Sequence, residues 1–163
     1  MGYYDVAQIC LNGHLITDRF AGWPQFRKDF CSKCGQATIY QCPECKQMIQ
    51  GDYVVPGVLD LSGYQPDPPS YCHACGKPYP WKAAKIEAAQ AMIDELDELN
   101  GAEREVLRKS IDDIAVDSPM TEVAVTRFKK MLPKLTQESA AAMRRLVIDV
   151  AGKVGAELLK GGM

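Results

Sequence analysis

Four short motifs in the first 76 residues read Cys10-Leu11-Asn12-Gly13-His14, Cys31-Ser32-Lys33-Cys34, Cys42-Pro43-Glu44-Cys45 and Cys72-His73-Ala74-Cys75. They use all seven cysteines of the chain and one of its two histidines. Zinc in proteins binds four tetrahedral ligands, commonly thiolates and imidazoles in pairs two to four residues apart. The spacing therefore predicts two Zn²⁺ per chain, one held by three cysteines and a histidine and the other by four cysteines.

The four motifs can pair in two ways. In sequential pairing the first two motifs bind one ion and the last two bind the other, which makes two successive zinc ribbons. In a cross-brace the first motif pairs with the third and the second with the fourth. Residues 35–41 are enough for a strand that leads from one ribbon into the next, which favours sequential pairing. Either way both sites have four protein ligands, whereas a catalytic zinc keeps a position open for water.

The composition of the chain changes near residue 80. All cysteines precede residue 76, whereas the sequence from Lys82 onward is rich in Ala, Glu, Lys and Leu and is typical of helices. Short β-like runs occur at 6–9, 14–17 and 37–40. We therefore expect an α+β protein with a pair of small β zinc ribbons over residues 1–80 and an α-helical bundle or hairpin domain over residues 81–163. A structural zinc contributes roughly 10–16 kcal/mol in small peptides, so the metal should replace most of the ribbon core.

Four helices are expected in the second domain, at about 81–99, 102–116, 119–132 and 137–160. Asn100-Gly101 ends the first helix, Ser118-Pro119 begins the third and Thr136 caps the fourth. Apolar residues recur at helical spacing in each, which is typical of a packed core. Narrow stripes on short helices can leave apolar surface for a partner, and a homodimer through the C-terminal helices is one hypothesis.

Several classes of protein are disfavoured by composition. The start of the chain has no basic region followed by an apolar run, no stretch of about 18 apolar residues occurs, and the cysteine count is odd. These features favour a cytoplasmic, metal-binding protein.

Residues 86–118 carry ten Asp/Glu and three Lys/Arg, whereas residues 119–163 carry four and eight. The ribbon half lacks the basic footprint of most nucleic-acid binders.

Two loops leave the ribbons. The loop 15–30 interleaves aromatic rings with cations and could stack on bases and contact phosphates through Arg19, Trp23, Phe26, Arg27 and Lys28. The alternative is that these rings cover the small ribbon. The second loop, 51–70, holds three aspartates and neither Lys nor Arg, which suits a protein contact better than a phosphate backbone.

The run from Cys10 through Cys75-Gly76-Lys77-Pro78-Tyr79-Pro80-Trp81 resembles double zinc-ribbon proteins. With the Ala-rich helices that follow, the whole chain resembles a bacterial family of uncharacterised proteins catalogued as a domain of unknown function. The resemblance implies a zinc-ribbon fold with ligands at the quoted positions, and it supplies no substrate.

The leading functional hypothesis is a non-enzymatic zinc-binding adaptor or interaction protein, which presents its two loops to a protein partner. The alternative is a nucleic-acid-binding zinc ribbon that uses the loop 15–30. An enzyme is not expected, because the sequence offers no catalytic dyad and no open metal position. His73 lies inside its motif, where we expect the side chain to point away from the metal.

Overall fold

The computed structural model describes residues 1–161 and divides the chain into two compact units, Met1–Ala83 and Ala84–Met163. Each unit has its own cluster of buried apolar side chains. The N-terminal unit contains short antiparallel strands, and the C-terminal unit consists of helices. The α+β architecture expected from the sequence is confirmed.

The N-terminal unit has five strands in two small sheets. They are β1 (Tyr3–Val6), β2 (Gln8–Cys10), β3 (Leu15–Thr17), β4 (Thr38–Ile39) and β5 (Gln50–Val54). Strand β1 pairs with β5, and a second antiparallel sheet has the order β3-β2-β4. A single-turn 3₁₀ helix, Pro24–Phe26, lies in the connection from β3 to β4.

The predicted strand over 6–9 is wrong in detail, because the chain changes sheets at Ala7. The Ala7 N–H takes no part in the strand pairing of either sheet. It donates instead to the carbonyl of Ile49, 2.8 Å away. Strand β5 was not predicted, since its Gly51 and Asp52 are unfavourable strand residues. A Cβ at Gly51 would lie 2.2 Å from the backbone oxygen of Asp18. The glycine is therefore required by the close approach of two backbone segments.

The core of the N-terminal unit is small and includes two cysteines. Its fully buried side chains are Ala7, Ile9, Cys42, Ile49, Cys72, Tyr79 and Trp81. The rings of Tyr79 and Trp81 stack with centroids 4.8 Å apart, and the Trp81 indole N–H donates to the carbonyl of Pro69 at 2.9 Å. So few apolar residues give this unit little hydrophobic stabilisation of its own.

The helices are α1 (Pro80–Asp94), α2 (Gly101–Ile114), α3 (Thr121–Met131), α4 (Gln137–Val150) and α5 (Lys153–Lys160). Asn100 and Glu103 form a reciprocal capping box at the start of α2, and Thr136 caps α4 by accepting from the Ser139 N–H. The buried faces of the helices contribute Ala89, Ile93, Leu107, Ile111, Ile114, Ala124, Phe128, Met143, Val147 and Leu159 to one continuous core. Among the described residues, no helix is both long and apolar enough to cross a bilayer.

The predicted fourth helix is two helices, because the chain breaks at Ala151-Gly152. Both residues have extended ψ angles, 148° and 174°. The Gly152 N–H donates to the carbonyl of Ile114, and the Asp117 carboxylate accepts from the N–H groups of Lys153 and Val154. The break changes the buried face, so that Val154 is 46% exposed and Leu159 is buried. The first helix also ends early, at Asp94 rather than near residue 99.

Two buried polar side chains hold the loop 15–30 against the strands. The carboxylate of Asp5 accepts from the N–H groups of Val6, Ala21 and Gly22 at 2.6–2.9 Å. The amide of Gln8 donates to the carbonyl of Lys28 and accepts from the Lys28 N–H. Both side chains are about 95% buried, and their backbone partners are thereby satisfied.

Replacing Asp5 by Ala should release this loop. The N–H groups of Ala21 and Gly22 would lose their acceptor, and we expect a loss of about 1–3 kcal/mol in the stability of the N-terminal unit. Hydrogen exchange of the amides in 20–23 should accelerate. Asp60→Ala is the matched control, because exposed Asp60 is hydrogen-bonded to Ser62, outside the loop 15–30. Equal exchange rates in wild type and Asp5→Ala would contradict this role.

Candidate metal centres

The eight predicted ligands form two clusters that follow sequential pairing. Site 1 consists of Cys10, His14, Cys31 and Cys34, and site 2 consists of Cys42, Cys45, Cys72 and Cys75. Within each site the ligand atoms all lie within 4.8 Å of one another. The cross-brace is therefore not the observed arrangement.

The distances within each site match a tetrahedral ion. In site 1 the sulfurs of Cys10 and Cys34 are 3.7 Å apart, and Nδ1 of His14 lies 3.4 Å from the Cys10 sulfur and 3.6 Å from that of Cys31. In site 2 the pairs Cys42–Cys75 and Cys45–Cys72 have sulfurs 3.8 and 3.7 Å apart. A tetrahedron with Zn–S of about 2.3 Å and Zn–N of about 2.0–2.1 Å has edges of roughly 3.8 and 3.6 Å. A disulfide would need about 2.05 Å.

The same tight turn recurs in the three C-x-x-C motifs. In each, the N–H four residues after the first cysteine donates back to the carbonyl of that cysteine, at 2.8–2.9 Å. The donor residue has a left-handed φ of 72° at Gly35, 65° at Lys46 and 71° at Gly76. Each motif is flanked by one isolated β-bridge. The fold thus brings the two sulfurs of each motif together by backbone geometry alone.

Backbone N–H groups point at the ligand sulfurs. Those of Ala74 and Cys75 lower the pKa of the Cys72 thiol from 9.0 to about 6. At Cys75 the Lys77 N–H acts in the same direction, but partial desolvation and the neighbouring sulfurs of Cys45 and Cys72 outweigh it and raise the pKa to about 12. Four clustered sulfurs cannot all be thiolates at neutral pH without a counter-charge, and a bound cation supplies one. The donor sets, spacing and electrostatics of both sites fit a thiolate-binding metal.

Burial differs between the two ligands of each C-x-x-C motif. The first cysteines, Cys31, Cys42 and Cys72, are 2–3% exposed. The second cysteines, Cys34, Cys45 and Cys75, lie at the surface. The first cysteine of each motif therefore faces the protein and the second faces solvent. His73 is exposed and belongs to neither site.

Both arginines proposed for nucleic-acid contact have partners within the N-terminal unit. The guanidinium of Arg19 pairs with the Asp52 carboxylate at 2.7 Å and lies 4.6 Å from the centroid of the Trp23 ring. Arg27 donates to the carbonyl of Phe20 and covers the ring of that residue at 4.1 Å. The Arg19–Asp52 pair joins the loop 15–30 to the segment 51–70, a contact that no local motif indicates.

The other members of that set have different environments. The rings of Trp23 and Phe26 meet edge to face with centroids 5.7 Å apart, and they are 42% and 49% exposed. The backbone of Lys28 is bound by Gln8, and its side chain is exposed. The rings thus partly cover the ribbon and partly face solvent.

Comparison with known proteins adds one match. The family model described as "Uncharacterized protein conserved in bacteria (DUF2321)" matches residues 3–157. Neither the curated proteins nor the solved structures gave a match.

Cys42→Ser should remove one metal ion per chain. The serine hydroxyl is a poor replacement for a thiolate, and Cys42 lies in the N-terminal core. We expect the measured metal content to fall from two ions per chain to one. Proteolysis of the N-terminal unit should increase, and most of the helical circular dichroism should be retained. His73→Ala, next to site 2 but outside it, should keep both ions. Unchanged metal content in Cys42→Ser would contradict the ligand assignment.

The left-handed turns predict that two substitutions change the stability of the N-terminal unit in opposite directions. Lys46→Gly relieves a φ of 65° that costs a non-glycine residue about 1 kcal/mol, although it loses the exposed hydrogen bond from Lys46 Nζ to Pro43. Gly35→Ala introduces the same strain at a φ of 72°, where an added Cβ meets no atom within 4 Å. We expect Lys46→Gly to raise the denaturant midpoint of the N-terminal unit and Gly35→Ala to lower it. Shifts of the same sign would show that another contact dominates.

Proposed function

Because the chain belongs to this family, whose description assigns no activity, we propose from its own residues that it is a non-enzymatic adaptor. In this proposal two Zn²⁺ per chain hold the N-terminal unit together, and the loops 15–30 and 51–70 contact a protein partner. Three cysteines and a histidine at site 1 form a donor set typical of structural zinc. Four cysteines at site 2 suit zinc equally well.

We assign both ions a structural role. Each site has four protein ligands, so no coordination position remains for a substrate or an activated water. When bound, zinc supplies a cross-link between distant segments of a unit that has few apolar core residues. The residues that hold it keep the turns, and hence the loops that leave them, in fixed positions.

The observation that carries the adaptor proposal is an exposed apolar segment after β5. Val58, Leu59, Leu61 and Tyr64 are 66%, 86%, 90% and 69% exposed. Single exposed apolar residues are ordinary, but four large ones within seven positions are typical of a contact surface. We name residues 55–64 the apolar loop. Its neighbourhood supports a protein partner, because residues 51–70 contain three aspartates and no basic residue.

The nucleic-acid alternative has weaker support. Phosphate contact needs cations that face solvent, whereas Arg19 is paired with Asp52 and Arg27 is held by the Phe20 carbonyl. Phosphate contact would therefore rest on the exposed Lys28 and on the remaining N–H donors of the two guanidinium groups. The exposed faces of Trp23 and Phe26 would remain for stacking, so this alternative is an outcome of the test below.

The test is native mass spectrometry of the protein purified gently from its own cells. We expect a mass with two zinc ions and an added protein subunit, and we expect the added subunit to be lost in a Leu59→Ser, Leu61→Ser double variant. Val106→Ser with Val116→Ser is the control, since both valines are exposed in the helical unit. A second copy of the chain is the other candidate partner, and a homodimer through the C-terminal helices would give twice the chain mass.

Two results would contradict the proposal. A nucleic-acid adduct that is lost on Arg27→Ala with Lys28→Ala would favour the alternative. A subunit retained equally by the leucine variant and the control would remove the apolar loop from the interface.

A further inference from the structure

The two metal centres differ in how many sulfurs they expose. Site 2 is built from two C-x-x-C motifs, and the second cysteine of each, Cys45 and Cys75, is at the surface. Site 1 has His14 as the second ligand of its first motif, so Cys34 is its only surface sulfur. An incoming reagent therefore finds two sulfurs at site 2 and one at site 1.

Backbone hydrogen bonds also distinguish the buried Cys72 from the two exposed sulfurs of site 2. Cys72 accepts from the N–H groups of Ala74 and Cys75, whereas the backbone donor to Cys75 is the N–H of Lys77 and that to Cys45 is the N–H of Gln47. An N–H donor draws electron density from a thiolate and makes it a weaker nucleophile. The two exposed sulfurs therefore have fewer backbone donors than that of Cys72.

Charge adds to the difference. Four thiolates around a divalent cation leave a formal charge of about −2, and three thiolates with a neutral imidazole leave about −1. Greater negative charge raises the nucleophilicity of bound thiolates. Exposure and charge favour site 2 over site 1, and within site 2 hydrogen bonding favours Cys45 and Cys75 over Cys72.

We propose that site 2 is an electrophile-reactive centre, and that Cys45 and Cys75 are its modification sites for soft carbon electrophiles. The thiolate sulfur attacks the electrophilic carbon, a sulfur–carbon bond forms, and the leaving group departs with the electron pair of the bond that breaks. For an alkyl halide the products are a thioether and a halide ion, with no oxidant or reductant required. The neutral thioether is a poorer metal ligand than the thiolate it replaces.

Modification at site 2 should affect the apolar loop, because this loop lies in the chain between the two motifs of the site. The two motifs of site 2 close residues 46–71, which include β5 and the apolar loop. Cys42 and Cys72 also pack in the core with Ile49 and Tyr79. Loss of metal from site 2 should release both ends of this segment. Modification would thereby control partner binding, a consequence that rests on the proposed function.

The test uses the full-length metal-loaded protein with limiting iodoacetamide. Peptide mass spectrometry should show carbamidomethylation of Cys45 and Cys75 about tenfold faster than that of Cys34 or of the buried cysteines. A chromophoric chelator should detect about one metal ion released per chain, with faster hydrogen exchange over 46–71. Reaction of Cys34 as fast as Cys45 and Cys75, or of Cys42 and Cys72 at the same rate, would overturn the inference.

A histidine variant separates the reactivity of the sulfurs from metal binding. Cys75→His keeps a metal ligand and gives site 2 the donor set of site 1, so both ions should be retained while alkylation of Cys45 slows to the rate of Cys34. Persistence of the wild-type Cys45 rate in that variant would contradict the charge argument. Metal analysis before the reagent is added distinguishes the two proposals. A chain isolated without metal would contradict the zinc sites. Uniform alkylation of a chain that holds two ions would contradict only this inference.

Discussion

Repulsion among clustered thiolates is the constraint on which the N-terminal unit depends. The turns place the four sulfurs of site 2 within 4.8 Å of one another; there the N–H groups of Ala74 and Cys75 lower the pKa of Cys72 to about 6, whereas desolvation and the neighbouring sulfurs raise that of Cys75 to about 12. A divalent cation removes this conflict and turns repulsion into a cross-link. The same step joins segments that are far apart in sequence, such as Cys42 and Cys75. A bound metal would thus supply both the charge balance and the long-range contacts.

The two units are stabilised in different ways. The helical unit buries a continuous set of apolar side chains from all five helices and uses capping residues at its helix ends. The N-terminal unit buries few apolar residues, and two of its core side chains are the ligands Cys42 and Cys72. Loss of a ligand there removes core packing and coordination together. Loss of one apolar residue in the helical unit would leave the remainder of its core in place.

The sequence predicted features that arise from local rules and missed those that arise from long-range contacts. Motif spacing selects the eight candidate ligands and favours sequential pairing without excluding the cross-brace, and helix starts follow from caps such as Thr136. The break between α4 and α5 depends on Asp117, which caps a helix that begins 36 residues later in the chain and carries no local signature. The roles of Asp5 and Gln8 as acceptors for the loop 15–30 likewise depend on the fold, since an aspartate or glutamine in a short strand has no distinctive pattern.

The position of the apolar loop links the structural and functional arguments. Its segment lies between the two cysteine pairs of site 2 and is held at Asp52 by the ion pair with Arg19, yet Leu59 and Leu61 are 86% and 90% exposed. Exposed leucines on a fully flexible segment would lose conformational entropy on binding, whereas anchoring of the segment removes part of that cost in advance. A metal centre is an economical anchor for this purpose, because it constrains the chain with only four side chains. It is also a chemically sensitive one, because two of those four sulfurs face solvent.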